Sequence, residues 1–327
     1  MTINEIARRA GVSRATVSRY LNNGYVSQEK RERIARIIQE TGYTPSQSAQ
    51  QLRTGKTRLV GVIMPKINSQ SVSRMVAGIT DTLAHDNYQA VLVCTNNDEQ
   101  AEIPFLQLFA KNHQVDGIIL IATVFTPEHL SIIKSIRMPF VVLGQKSDLC
   151  SCVYHDDYAA AFEVTALMLP RARKVAYLGV KEEDRAAGEQ RHQGFLDACA
   201  KHGLDVAPEA QLVVSFDADS GFFGAEKILN TMPDVDTIVC ATDDIAFGAM
   251  MCMREYGRSV PDDVQVSGMG DSLLSQIVHP SLTTVHLSYK TSGTMAARML
   301  MRQLHDADTP LETYCMPHQI YARNSMR

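Results

Sequence analysis

The chain opens on Thr2-Ile3-Asn4-Glu5-Ile6-Ala7-Arg8-Arg9-Ala10-Gly11-Val12-Ser13-Arg14-Ala15-Thr16-Val17-Ser18-Arg19-Tyr20-Leu21-Asn22. Thr2 is a helix-capping residue. The apolar residues Ile3, Ile6, Ala7 and Ala10 then recur at i, i+3, i+4 and i+7, with Glu5 in the first turn, where a negative charge is favoured. Gly11 stops that helix. Ser13 caps a second one over 14–22, which turns Val17, Tyr20 and Leu21 inward and Arg14, Ala15, Ser18 and Arg19 outward. A helix, a tight glycine turn and a second helix leaving at a steep angle suit the DNA major groove, although spacing alone also fits an ordinary αα-hairpin.

Charge separates the two readings. Residues 1–60 hold 11 Lys and Arg against 4 acids, a balance of +7, while the whole chain stands at −4, which leaves −11 for residues 61–327. A small basic head on an acidic body is the electrostatic footprint of nucleic-acid binding, because phosphate contacts release counterions. A third helix follows Ser27, with Ile34, Ile37 and Ile38 on one face and Gly42 at its end. The segment after it, Pro45-Ser46-Gln47-Ser48-Ala49-Gln50-Gln51-Leu52-Arg53-Thr54-Gly55-Lys56-Thr57, has the composition of a linker.

From Arg58 onward, apolar runs alternate with amphipathic stretches. Strands are expected at Leu59–Met64, Ala90–Cys94, Gly117–Ala122, Phe140–Leu143, Val175–Gly179, Leu212–Phe216, Thr237–Ala241, Val264–Gly268 and Thr284–Leu287. Helices are expected between most of them, at about 72–87, 99–112, 127–136, 158–169, 188–202, 220–231, 244–257 and 289–305. Strands apolar on both faces and separated by helices imply parallel sheets covered on both sides, and the length of this α/β body implies two lobes. Ligands of such sheets bind beyond the carboxyl ends of the strands. Lys66, Asp157, Arg191, Asp243 and Asp271 all follow strands. Carboxylates and an Arg fork are what sugar hydroxyls need, though Asp157 and Asp243 could equally cap the next helix.

The run Ile3–Ala7 with Ala10–Arg19 and Leu21-Asn22 resembles the headpiece of LacI/GalR-type bacterial transcription regulators, and the resemblance extends over nearly the whole chain. It implies a three-helix helix-turn-helix headpiece on a two-lobed, periplasmic-binding-protein-like α/β body. The expected boundaries are 1–45 for the headpiece, 46–58 for a hinge helix and 59–327 for the body. The body is expected to divide into about 59–157 with 289–314, and 158–288 with 315–327. The resemblance further implies that Arg14, Ala15 and Arg19 read base edges and that Leu52 wedges into a minor-groove step. The candidate DNA contacts are thus Thr2, Ser13, Arg14, Ala15, Thr16, Ser18, Arg19, Asn22, Gln51 and Leu52.

Gln190-Arg191-His192-Gln193-Gly194-Phe195 matches the family's effector-binding Arg-x-x-Gly-Phe, and Ala241-Thr242-Asp243 matches a stretch lining the effector cleft. The candidate effector residues are Lys66, Asp157, Arg191, Thr242, Asp243 and Asp271. Gly270 stands where many members have a sugar-binding Asp. Lys66 is basic, as in members resembling the trehalose and sucrose operon repressors, so the expected effector is a sugar and, by preference, a sugar phosphate. Double-stranded operator DNA and a second copy of the chain complete the expected partners. The chain stops after Arg327 with no appended heptad helix, which makes a homodimer the default.

Gly270-Asp271-Ser272-Leu273 spells the block motif of GDSL esterases, but no Asp-x-x-His pair follows it, so no catalytic residue is assigned. A sugar-binding module with a vestigial head is the other competing class. The ten His form no metal-ligand spacing, Cys150-Ser151-Cys152 has no second pair, and no phosphate-cradling glycine motif occurs; neither metal nor cofactor is expected. With no apolar leader and no run of about 18 apolar residues, a cytoplasmic chain with reduced cysteines is expected.

Overall fold

A computed structural model describes residues 1–22, 24–43, 55–111 and 114–327. The chain divides into two compact units, Met1–Thr57 and Arg58–Arg327.

In the first unit α1 spans Ile3–Ala10, α2 Arg14–Leu21 and α3 Gln28–Thr41. Thr2 and Glu5 form a reciprocal capping box: the Thr2 N–H donates to the Glu5 carboxylate at 2.7 Å, while the Thr2 hydroxyl accepts from the Glu5 N–H. Gly11 closes α1 in the left-handed region at φ 63°, and the Ser13 hydroxyl caps α2 by accepting from Thr16 N–H at 3.2 Å. Ser27 precedes α3 without a side-chain capping bond. Ile6, Val17 and Ile34, all fully buried, meet at the centre, with Tyr20 and Leu21 packed partly buried around them. A core this small depends on each of these side chains.

The second unit contains two six-stranded sheets. Its strands are β1 Leu59–Met64, β2 Gln89–Cys94, β3 Gly117–Ile121, β4 Phe140–Leu143, β5 Ser151–His155, β6 Val175–Gly179, β7 Gln211–Val213, β8 Thr237–Cys240, β9 Gln265–Met269, β10 Thr283–Leu287, β11 Thr313–Met316 and β12 His318–Tyr321. The first sheet runs β11-β5-β4-β3-β1-β2, parallel throughout. The second runs β12-β10-β9-β8-β6-β7, parallel except that β12 pairs antiparallel with β10. The helices of this unit are α4 Gln70–His85, α5 Glu99–Lys111, α6 Pro127–Ser135, α7 Asp157–Met168, α8 Arg191–Lys201, α9 Ala218–Thr231, α10 Asp243–Glu255, α11 Leu273–Ile277 and α12 Tyr289–His305. β1, β3 and β4 are buried along nearly their whole length, as strands covered on both faces must be.

The chain passes between the lobes three times, at Asp156, Ser288 and Pro317. The division expected at 314/315 cuts through β11, which pairs with β5 in the first sheet over Thr313–Met316, so the third passage lies at Pro317. Expected residues 46–54 of the hinge fall outside the described residues. In the first lobe α4 and α12 approach so closely that a Cβ on Gly78 would lie 2.0 Å from the Lys290 carbonyl oxygen, and one on Gly293 2.0 Å from that of Met75. Only glycine fits at that crossing.

Candidate functional site

In the first unit α2 turns Arg14, Ala15 and Arg19 to solvent, with Ser13 and Asn22 also exposed and Thr16 and Ser18 half-buried. Thr2 is exposed at the start of α1, and Asn22 donates from its side chain to the Ser18 carbonyl. Val17, between the two exposed faces, fixes the rotation of α2. The guanidinium groups of Arg14 and Arg19 are thus presented from one short, capped helix, an arrangement able to place forked donors against base edges. Gln51 and Leu52 lie outside the described residues.

In the second unit a cleft of about 360 Å³ opens between the carboxyl ends of the two sheets. That volume lies within the roughly 300–1,000 Å³ of small-molecule sites. Five of the six expected effector residues line it: Lys66, Asp157, Arg191, Thr242 and Asp243. At its floor Arg191, 5% exposed, donates through Nε to Asp157 Oδ1 at 2.8 Å and through Nη1 to the Ala241 carbonyl, and its Nη2 lies 2.7 Å from the same Asp157 oxygen in an ion pair. Burial opposes that positive charge, but the Asp157 carboxylate and the Tyr289 side chain together more than offset it. A wide, π-helical turn, Arg185–Gln190, delivers Arg191 to this position, and the turn is capped by Asp184, whose carboxylate accepts from Ala187 N–H at 3.1 Å.

The capping alternative resolves one residue earlier than expected at both candidate sites. Asp156, not Asp157, caps α7, and Thr242, not Asp243, caps α10. Asp157 and Asp243 are instead the first residues of their helices, with side chains free for other work. Asp243 uses its carboxylate to accept from Ser272 N–H at 2.7 Å and from the Thr284 hydroxyl, tying α10 to β10 and to the loop after β9. Burial raises its pKa against those two hydrogen bonds.

Asp271 does not line the cleft. Gly270 at φ 139° and Asp271 at φ 47° turn the backbone so that this carboxylate joins Arg323 and, at 2.8 Å, His286 Nδ1. Partial burial pushes its pKa up, but hydrogen bonds from Arg323 and His286 outweigh that and hold it below the usual carboxylate range. Ser272 has a structural place too, its hydroxyl capping α11 by accepting from Ser275 N–H.

Several lining residues escaped the sequence reading. Arg74 reaches from α4 across the cleft, donating to the Gly270 and Asp271 carbonyls at 3.0 and 3.2 Å, with its guanidinium 5.5 Å from the Tyr289 ring centre. Gln145 Nε2 donates at 3.0 Å to Asp184, whose pKa burial raises to about 6. Phe216 lies under Lys66, with Nζ 5.8 Å from the ring centre, and Asp244 faces the same cation. His155, the last residue of β5, also lines the cleft. The β-forming run Cys152-Val153-Tyr154 ahead of Asp156-Asp157 was the signal that could have found it.

Residues 2–46 match the profile described as "Bacterial regulatory proteins, lacI family", and residues 164–326 match that of the periplasmic binding protein-like domain. The sucrose operon repressor of Staphylococcus xylosus is 34% identical over 303 residues, covering 92% of this chain and 93% of that protein. Among solved structures, the transcriptional regulator CelR in complex with cellobiose aligns at 25% identity with a TM-score of 0.76, over 99% of both chains. The lac repressor dimer bound to operator and the anti-inducer ONPF shares the fold, with a TM-score of 0.91 at 22% identity over 99% of this chain and 98% of that one.

Proposed function

Because the chain belongs to the LacI family of bacterial regulatory proteins, whose members are DNA-binding transcription regulators, we propose that it represses a sugar-utilisation operon and is released when a sugar fills the cleft between the lobes of its body. The observation that carries this reading is the pairing, in one chain, of a capped helix presenting Arg14, Ala15 and Arg19 with a cleft lined by Lys66, Asp157, Arg191, Thr242 and Asp243. The chain acts as a cytoplasmic homodimer, since a single headpiece reads only a half-site and two must lie about one helical turn apart. Thr2, Ser13, Thr16, Ser18 and Asn22 support phosphate and edge contacts around the two arginines, and Leu52 with Gln51 supplies a minor-groove contact. Occupancy of the cleft changes the lobe angle and thereby the affinity for operator. No reaction is catalysed. No helix among the described residues is long and apolar enough to span a bilayer.

The lining carries five carboxylates, Asp157, Asp184, Asp217, Asp243 and Asp244, against three cations, Lys66, Arg74 and Arg191. Arg191 is committed to Asp157, and Lys66 faces Asp244. This balance supports an uncharged sugar over the phosphorylated one preferred on sequence, since a phosphate would bring further negative charge to a lining in which carboxylates already outnumber cations. The test is an operator shift assay on the palindrome selected by the purified protein, with and without sugars and their 6-phosphates. Release by a free sugar supports the reading; no preference for any palindrome over random duplex at physiological salt contradicts it.

A further inference from the structure

His155 ends β5 one residue before the chain first crosses between the lobes, and it is 5% exposed on the cleft lining. Its ring stands edge-on to Tyr289, with centroids 5.2 Å apart and planes at 72°; Tyr289 opens α12 directly after the second crossing. The carboxylates at this end of the cleft all have hydrogen-bond donors. Asp157 is held by Arg191, Asp243 by Ser272 and Thr284, and Asp184 by Gln145 and Ala187. The imidazole differs, because its buried Nε2 has no hydrogen-bond partner among the described residues. A buried polar nitrogen without a partner is costly to maintain, and in a ligand site the partner is commonly the ligand.

We propose that His155 is an effector-contacting, specificity-determining residue, whose imidazole completes its hydrogen bonding on a hydroxyl of the bound sugar. This assignment rests on the reading of the cleft as a sugar site. Burial drives the ring's pKa down to about 4; Asp157 opposes the shift, whereas Arg191, His286 and His318 add to it. The ring is therefore uncharged at neutral pH, with one nitrogen to donate and one to accept. A hydroxyl group matches either nitrogen, whereas an ammonium or carboxylate ligand matches only one. The position also gives the contact a mechanical meaning: a sugar held by His155 is held at the residue next to the first crossing, beside the first residue after the second.

The test is a titration of the full chain by calorimetry, after a thermal-shift screen of glucose, fructose, sucrose, trehalose, cellobiose, maltose and their 6-phosphates. For the sugar giving the largest shift, His155→Leu is expected to lower affinity about tenfold to a hundredfold, the range expected for one buried hydrogen bond. His155→Gln, which restores a donor and an acceptor near Nε2, is expected to recover part of the loss. Among the mono-deoxy analogues of that sugar, one is expected to bind wild type as weakly as the parent sugar binds His155→Leu, with no further loss when the two changes are combined. A merely structural histidine would not single out one hydroxyl. Should His155→Leu fail to fold, His155→Asn and the same analogues carry the test. Equal affinity of wild type and variant, or losses that add for every analogue, overturns the assignment alone. A wild-type chain that responds to no sugar in the panel overturns the sugar reading and this assignment with it.

Discussion

The headpiece and the cleft use charge in opposite ways. On α2, Arg14 and Arg19 are exposed and their donors face water, available to whatever the helix meets. In the cleft, Arg191 is buried, and all three of its donor nitrogens are engaged by Asp157 and Ala241. A reader of DNA needs its cations uncommitted, because affinity comes from releasing counterions and forking onto bases. A sensor of a small polar ligand needs its charges already paired. An unpaired charge buried there would shift its protonation or distort the fold, whereas a paired one forms a fixed polar wall whose remaining lone pairs and N–H groups meet the ligand.

This contrast can be broken most severely at Arg191. Arg191→Met leaves the Asp157 carboxylate buried without its partner and is expected to cost about 3–5 kcal/mol of body stability, read by urea unfolding. Adding Asp157→Asn is expected to return part of that loss, because the stranded charge is then gone. A cost below about 1 kcal/mol for Arg191→Met alone would mean that the floor of the cleft is not organised by this pair. Next in size, Ile34→Ala empties the centre of the headpiece core and is expected to cost about 2–5 kcal/mol there. Operator binding is expected to disappear while sugar-induced thermal shifts of the body persist; loss of both would show that the two units do not fold independently.

Asp184 sharpens the contrast through pH. Burial raises its pKa from an ordinary 3.8 to about 6, so the folded chain keeps a proton that the unfolded chain releases in that interval. Its stabilising contribution is full below the lower value and is lost as pH rises through about 6. Asp184→Asn keeps the cap on Ala187 and removes the buried charge. It is therefore expected to be more stable than wild type above that pH, by up to about 3 kcal/mol, and equal to it near pH 4. A difference that grows toward acid pH would reverse the sign and contradict the burial argument. The smallest effect falls on the reader: Arg14→Ala or Arg19→Ala is expected to lose about 1–3 kcal/mol of operator binding in fluorescence anisotropy, concentrated at one base position, with sugar affinity unchanged.

The two regions also differ in how far the sequence revealed them. Thr2 with Glu5, Gly11, and Ser13 with Thr16 act over three or four residues, so caps, stop and inward face could be read from spacing alone. In the body the apolar runs announced most strands. However, β5, β11 and β12 carry polar or half-exposed residues such as Ser151, His155, Thr313 and His318, which leave apolar runs of at most three residues. The cleft is built from partners far apart in sequence, Asp157 with Arg191 and Asp243 with Thr284, which no local pattern connects. Strand ends and resemblance together pointed to Lys66, Asp157, Arg191, Thr242 and Asp243, which line the cleft, without showing how their charges are spent. The position after a strand misplaced Asp271, because two successive positive φ angles, at Gly270 and Asp271, redirect its side chain to Arg323 and His286.

The account stands on one coupling, between occupancy of the cleft and affinity for operator. It is tested most directly by measuring sugar affinity with and without saturating operator, and operator affinity with and without saturating sugar. The expected result is that each ligand weakens the other by the same factor, as linkage requires for two sites on one molecule. Sugar binding that is indifferent to operator, on protein that binds both, would contradict it.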